Sequence, residues 1–314
     1  MLFVKIKSMR KREKIILAGL ASYGLVKLLK RGLSRRKRSL LNQGRADQAI
    51  ASTRYPIVLV HGIFFRDSQL FDYWGRIPAE LRSNGAQVFH GKQDSTVPIA
   101  IAGEQLKARI LSILELTGAD KVNIIAHSKG GLDSRYAISK LGLAEYVASL
   151  TTVNTPHRGS VLANEILSKT PSQLVERLSR HYESLLTRLG DQKIDLIASL
   201  EDLTPEQATA FNLEVLDHPA VYYQSLGSKL AGPLASTSIF GLGYQIIKPL
   251  AGDNDGLVPL DSMPWGNYLG TVTPIGRRGI SHADMVDQAK KDYEDFEVLE
   301  YYVQLVADLK AKGF

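Results

Sequence analysis

The stretch Val122–Tyr136, VNIIAHSKGGLDSRY, carries an apolar run into a histidine, a serine and a lysine, then two glycines ahead of a helical pattern. An unbroken apolar run of this length reads as a strand buried on both faces. A strand, then x-His-Ser-x-Gly-Gly, then a helix is the context of a nucleophile elbow, a sharp turn that lifts a serine above the edge of a sheet. Small residues flank such a serine because the backbone leaves no room for side chains, and Ala126 and Gly130 occupy the two small positions. The same turn could carry nothing more than a helix-capping serine, so the rest of the chain has to decide.

From Tyr55 onward, short apolar runs alternate with amphipathic stretches. YPIVLVHG, AQVFH, KVNIIAHS and YVASLTTVNTP read as strands. FDYWGRIPAELRSNG reads as a helix closed by Gly85, and AGEQLKARILSILELTG as one with Leu106, Ile110, Leu111 and Leu114 on a single face and Gly118 after it. GLDSRYAISKLG follows the serine as a third helix. The alternation predicts an α/β fold, a mostly parallel sheet with helices on both faces. Between about Arg158 and His218 helical patterns replace the strands, including TPSQLVERLSRHYESLLTRLG and the Thr204-Pro205 start of TPEQATAFNLEVL. VYYQSLGS resumes the strand pattern. A Gly-rich stretch of no readable path follows, and KDYEDFEVLEYYVQLVADLK reads as a C-terminal helix. The expected organisation is a tail over 1–54 and a main domain over 55–314 with a helical insertion at about 158–218 over the sheet's functional edge.

A serine hydroxyl is a weak nucleophile without a base, an acid to orient that base, and donors for an oxyanion. SHADMVDQ offers His282 as the base. DNDGLVP offers Asp255 as the acid, with Asp253 as an alternative two residues earlier. HGI at His61–Ile63 ends the first strand where an oxyanion loop belongs, so the N–H of Ile63 would pair with that of Lys129. The chain order Ser128, Asp255, His282 is the order expected of α/β-hydrolases. His127 is expected to pack against the site rather than act as a second base. His61 is expected to shape the oxyanion loop by hydrogen bonding, and the Lys129 side chain to be solvated. His157, in TPHRGS, belongs to a loop near the site.

These motifs carry a resemblance. From Tyr55 to about Leu299 the chain resembles the bacterial true lipases, triacylglycerol hydrolases of the α/β-hydrolase fold, through YPIVLVHGI, FDYWGRIPAELRSNGAQVF, GEQLKARI, KVNIIAHSKGG, TPHRGS, LTPEQATAFN, DGLVP and SHADMVDQ in that order. The resemblance implies Ser128 as nucleophile, Asp255 rather than Asp253 as the acid, His282 as base, and the amides of Ile63 and Lys129 as oxyanion hole. It also implies that the helical insertion is a lid and that the substrate is a lipid ester. No organic cofactor is needed for that chemistry. A structural Ca²⁺ near His282 is implied as well, with Asp284 as one ligand and Gln288 further along the loop. Here the sequence departs from the family, because Val221–Ala251, where the second carboxylate should lie, contains no Asp or Glu. A membrane-associated phospholipase, deacylase or acyltransferase is the alternative on the same scaffold. A non-catalytic binding protein would be expected to show a broken triad, and every member is present.

Composition narrows the partners. The 314 residues include no cysteine, which excludes a disulfide framework and any cysteine-based metal site, and with it the disulfide that often accompanies foldase-dependent lipases. The net charge of +7 is uneven: Met1–Arg38 holds thirteen Lys or Arg against Glu13 alone, which leaves the remainder at −5. A mildly acidic body argues against nucleic acid as a partner. Within the basic segment Ile15–Leu29 is apolar but for Lys27; as a helix it would be about 22 Å long, short of the ~30 Å hydrocarbon core. A signal peptide would want a cleavage site where a block of Arg and Lys follows instead. The tail is therefore expected to anchor the protein at an anionic membrane surface on the cytoplasmic face, with an exported protein bearing an uncleaved signal anchor as the alternative. No feature of the sequence sets an oligomeric state.

Overall fold

The computed structural model describes residues 49–63, 72–169, 187, 191–232, 239–273, 278–293 and 296–314. The chain divides between Ile50 and Ala51, and every strand and helix named below belongs to the second unit, Ala51–Phe314. The apolar basic segment of the tail and the helical pattern at 170–190, residue 187 apart, lie outside the described residues. Among the described residues no helix is long and apolar enough to cross a membrane.

Six strands form one sheet: β1 Ile57–Val60, β2 Val88–His90, β3 Val122–His127, β4 Val147–Val153, β5 Tyr222–Ser228 and β6 Asn267–Val272. Their order is β2-β1-β3-β4-β5-β6 and every neighbouring pair is parallel. The helices are α1 Ile77–Ser83, α2 Ile99–Thr117, α3 Lys129–Lys140, α4 Val161–Lys169, α5 Leu196–Glu201, α6 Pro205–Glu214, α7 Ile239–Ala251 and α8 Val298–Ala311. Every residue of β1, β3 and β4 is buried, as a central parallel strand covered on both faces requires. On one face Ile110, Ile113, Ile124, Ile138 and Leu150 form a single apolar core. This is the α/β fold read from the sequence, and helices α4, α5 and α6 fall within the insertion expected at 158–218.

The chain departs from the reading in four places, each for a local reason. Leu106, Ile110, Ile113 and Leu114 are buried on α2 while Leu111 is 37% exposed; five positions past Leu106 lies about 140° around the helix. Helix α1 begins only at Ile77, because Gly75 takes φ +51 and Pro78 stands at the first turn, where proline is tolerated. The Gly-rich stretch contains α7 and β6. Gly243 hides α7 because its bare Cα lets the helix press onto the Gly256 carbonyl, where a Cβ would sit 1.9 Å away; β6 is a half-exposed edge strand with Gly270 inside it, a pattern that weakens any strand signal. The C-terminal helix starts at Val298, seven residues later than the charged pattern suggests.

Strands β1, β3, β4 and β5 all end at one edge of the sheet, on His61, Ser128, Asn154 and Lys229 respectively, and open parallel sheets bind ligands at the carboxyl ends of their strands. Ile124→Ala, in the centre of β3, is expected to cost about 2–5 kcal/mol in urea unfolding, whereas Leu111→Ala should stay within about 1 kcal/mol. Equal losses at both positions would contradict the burial of α2 described here.

Candidate active site

The serine of the opening stretch sits where β3 breaks into α3, with φ +56 and ψ −133. A non-glycine residue rarely takes positive φ, and such strain persists only where the surroundings impose it. The Ser128 amide donates to the Val153 carbonyl at 2.9 Å, and Thr155 Oγ1 donates to the Ser128 carbonyl at 2.8 Å. A Cβ on Gly130 would lie 2.3 Å from the His61 carbonyl oxygen, so the helix after the serine can approach the end of β1 only with glycine there. The Ser128 side chain makes no capping bond to the helix it precedes, so the bland reading of a capping serine does not hold.

His282 and Asp255 meet beside this turn. His282 Nδ1 lies 2.6 Å from Asp255 Oδ2, and the His282 amide donates to the Asp255 carbonyl at 3.0 Å. Asp255 is fully buried, yet its carboxylate is fully served: Oδ1 accepts from the amides of Leu257 (2.9 Å) and Val258 (2.8 Å), and Oδ2 accepts from Asn154 Nδ2 at 2.7 Å as well as from the imidazole. A carboxylate so placed only accepts, so the proton of the neutral imidazole is on Nδ1 and the lone pair on Nε2. The His282 ring packs on the ring of His127, the residue before Ser128, with centroids 4.4 Å apart. Asp253 sits elsewhere, between Lys229 and Lys248 at 2.6 Å each, and these bonds lower its carboxyl to about 2.

Ile63, at the end of the HGI segment, packs its side chain against Ile99, Leu132, Ala163 and Leu203. Lys129 is the first residue of α3, so its N–H is among the four that have no acceptor within the helix. Its side chain is not solvated as expected: it is 1% exposed and its ammonium lies 2.6 Å from Asp133. Burial raises the Asp133 carboxyl to about 6 against the pull of that ammonium. The ring nitrogens of His61 face the carbonyls of Gly62 and Gln93, each at 2.9 Å. His157 is buried and neutral, pushed well below the usual range by burial and then by Arg135. It stacks on Trp265 and receives a bond from Arg135 Nη1, while its own Nε2 donates to Thr152. Arg135 lies over the same Trp265 ring and also holds Asn212 and the Val215 carbonyl, tying α3 to the end of α6.

Asp284 does not present a free carboxylate to a calcium ion. Its oxygens accept from Arg278 (2.6 and 3.3 Å), from the amide and hydroxyl of Ser281 (2.8 and 2.7 Å), and from the Tyr293 hydroxyl. Burial pushes this carboxyl up, but the bonds from Arg278, Tyr293 and Ser281 outweigh it and hold the pKa below the ordinary value. Among the described residues no three His, Cys, Asp or Glu side chains are placed to share a metal, whereas Ca²⁺ takes six to eight oxygens including several carboxylates. The residues present do not fit the ion as they stand.

Sequence reasoning missed Asn154 and Tyr73. Asn154 takes φ +48 directly after β4 and bonds both Ser228 (2.7 Å) and Asp255; its sequence signal is only that of a turn. Tyr73 lies inside FDYWGRIP, where the helical reading gave it no role, and its hydroxyl is 2.7 Å from His127 Nδ1.

This sheet order, with the serine turn after β3 and the histidine on a late loop, defines the α/β-hydrolase architecture. Lipase BlEst2 of Bacillus licheniformis in its mature form superposes with TM-score 0.61 at 23% identity, covering 80% of this chain and 91% of that one. A metagenomic carboxyl esterase superposes with TM-score 0.66 at 16% identity, covering 83% and 77%. Both are likenesses of fold. Residues 57–213, half of the chain, match the family described as "Putative serine esterase (DUF676)", and the chain belongs to that family. A triacylglycerol lipase of Pseudarthrobacter phenanthrenivorans is 38% identical over 175 residues, 52% of this chain and 54% of that protein. The chain spans about half the length of this relative and of two further curated relatives named triacylglycerol lipase.

With Asp284 already paired, added calcium or EDTA is expected to leave the thermal midpoint unchanged, while Arg278→Ala lowers stability by about 1–2 kcal/mol. A rise of several degrees with calcium in differential scanning calorimetry, lost in Asp284→Asn, would show that the ion takes this carboxylate from the guanidinium.

Proposed function

We propose that the protein is a serine hydrolase of carboxylic esters, with Ser128 as nucleophile, His282 as general base and Asp255 as the acid that orients it. The observation that carries this reading is the 2.6 Å pairing of His282 with a buried, four-times-bonded Asp255, which leaves the Nε2 lone pair of a ring packed beside the strained Ser128 turn. In the reaction, His282 Nε2 takes the Ser128 hydroxyl proton as Oγ bonds to the ester carbonyl carbon. The carbonyl electron pair moves onto oxygen, where the amides of Ile63 and Lys129 would receive it. Collapse breaks the bond to the alcohol oxygen, and the imidazolium returns its proton to that oxygen. Water then repeats the cycle on the acyl-serine and frees the acid.

Lipid esters are the substrate class favoured by the relatives named triacylglycerol lipase and by the apolar surround of the oxyanion loop, Ile63 with Leu132, Ala163 and Leu203. An apolar wall favours an acyl chain by about 0.8 kcal/mol for each methylene it removes from water. The insertion at 158–218, which reaches this wall through Ala163 of α4, Leu203 in the turn between α5 and α6, and Phe211 of α6, is the element that would cover the substrate as a lid.

The test is hydrolysis of an acyl-chain series of p-nitrophenyl and glyceryl esters by wild type, Ser128→Ala, Asp255→Asn and Asp253→Asn. Activity should rise with chain length and fall by about 10⁴ or more in Ser128→Ala. Asp255→Asn should lose about 10³–10⁴, and Asp253→Asn should stay within about twofold, since its carboxylate is spent on two lysines. Equal activity of wild type and Ser128→Ala would end the reading, and release of fatty acid from phospholipid but not from triacylglycerol would change the ester.

A further inference from the structure

Behind the Ser128 turn lies a run of buried rings that the proposed chemistry does not use. Tyr73 is 3% exposed and His127 is fully buried. The Tyr73 hydroxyl is 2.7 Å from His127 Nδ1, and His127 Nε2 is 3.1 Å from the backbone carbonyl of His282. A carbonyl only accepts, so His127 carries its proton on Nε2, and its Nδ1 lone pair accepts the Tyr73 hydroxyl. The chain of donors is therefore directional: Tyr73 O–H to His127, and His127 N–H to the main chain of His282. The two imidazole rings, 4.4 Å apart and tilted by 53°, add a direct contact to the same residue.

Two further contacts place Tyr73 against the working parts. A Cβ on Gly62 would meet the Tyr73 hydroxyl at 2.8 Å and Ser128 Cβ at 2.7 Å, so this glycine keeps the oxyanion loop in touch with both. Tyr73 and Trp74 also pack on the His127 ring, at 5.7 and 6.3 Å between centroids. The titratable groups facing His127 are Tyr73 and His282, with His61 one ring further on, 5.6 Å from Tyr73. Burial, then His282, pushes His127 well below the usual histidine range and keeps it neutral. A second imidazolium 4.4 Å from His282 would oppose the charge that a general base acquires in the transition state.

We propose that Tyr73 and His127 are positioning residues for His282: the tyrosine orients the His127 ring, and that ring holds the base's main chain and packs on its ring, while Asp255 holds Nδ1. The inference rests on His282 as the base of the proposed reaction. It assigns a role to the histidine of the elbow distinct from proton transfer, since both of its nitrogens are committed.

The test compares Tyr73→Phe, His127→Gln and His127→Leu in the full chain. Glutamine can set its amide nitrogen near the position of Nε2 and still donate to the His282 carbonyl, whereas leucine keeps bulk and donates nothing. The expected result is a loss of about tenfold in kcat for Tyr73→Phe with KM within about twofold, a larger loss for His127→Leu, and partial recovery in His127→Gln. A second readout does not depend on turnover: the low-field proton resonance of His282 Nδ1–H should be sharp in wild type and in His127→Gln, and broadened in Tyr73→Phe and His127→Leu. Wild-type kcat in Tyr73→Phe, or equal behaviour of the glutamine and leucine variants in kinetics and in that resonance, would overturn the inference. A wild type that hydrolyses nothing and whose Ser128 resists a fluorophosphonate would instead sink the proposed function, and the resonance alone would then decide the positioning.

Discussion

The constraint on which the structure turns is the backbone of Ser128, a non-glycine residue held at φ +56 and ψ −133. Such a conformation costs on the order of 1–3 kcal/mol, so something must impose it. The imposition comes from both neighbours of β3 at once. On one side β4 supplies the Val153 carbonyl to the serine amide, and Thr155, just beyond its end, bonds the serine carbonyl. On the other side the end of β1 presses its His61 carbonyl onto Gly130. The strand order β1-β3-β4 is therefore part of the site: with another neighbour on either side the turn would lose a clamp. A strained residue between two central strands is also a rigid one, because relaxing it would require parting the sheet.

From that turn the polar groups must be arranged at an edge that is largely dry. A carboxylate taken fully out of water is tolerated only when donors surround it, and Asp255 meets the requirement with two amides, an asparagine and an imidazole. Asn154 is the joint, since its one amide nitrogen bonds both Ser228 at the end of β5 and Asp255 on the loop beyond α7. Lys129 follows the same rule beneath the turn, its ammonium neutralised within the helix by Asp133 four residues on. Two opposite charges buried at one helix turn hold the start of α3 in register with the serine, at a desolvation cost visible in the raised Asp133 carboxyl.

How much of this the sequence revealed depended on whether a residue's role was local. Strand-turn-helix at Ser128 was legible because the apolar run, the small residues and the glycines all lie within one stretch. His282 and Asp255 were legible as motifs in a fixed chain order, and the choice between Asp253 and Asp255 came from resemblance, since both are acids in the same turn. Tyr73 and Asn154 were not legible: each acts on a residue 54 and 101 positions away, respectively, and no local pattern records such a bond. The burial of Lys129 was misread because lysine usually keeps its charge in water, and here the partner that overrides the habit is Asp133 on the buried face of its own helix. Helix α7 went unread because glycines that signal a loop in sequence serve here as contact points between a helix and a turn.

The loop that carries His282 is held at its start by backbone bonds to the chain just beyond β5, Ile280 N–H to the Lys229 carbonyl (2.8 Å) and Ala231 N–H to the Arg278 carbonyl (3.1 Å), and further along by side chains. Arg278 with Asp284 and Tyr293 pins it internally, and Asp287 takes Arg76 through two oxygens at 2.8 Å, which ties the loop to the residue just before α1. The Lys290–Asp72 pair, half exposed on each partner, adds little beyond these. Asp287 itself sits at φ +55 and its carbonyl faces Gly75, where a Cβ would lie 2.2 Å away. The residues just before α1 and the segment that carries His282 therefore close on each other through a backbone contact at Gly75 that only glycine permits. Strand β3 fixes Ser128, the turn beyond β4 fixes Asp255, and residues 72–76 fix the far side of the His282 loop. Each member of the constellation thus answers to a different element, and their mutual geometry is set by the sheet and not by any one loop.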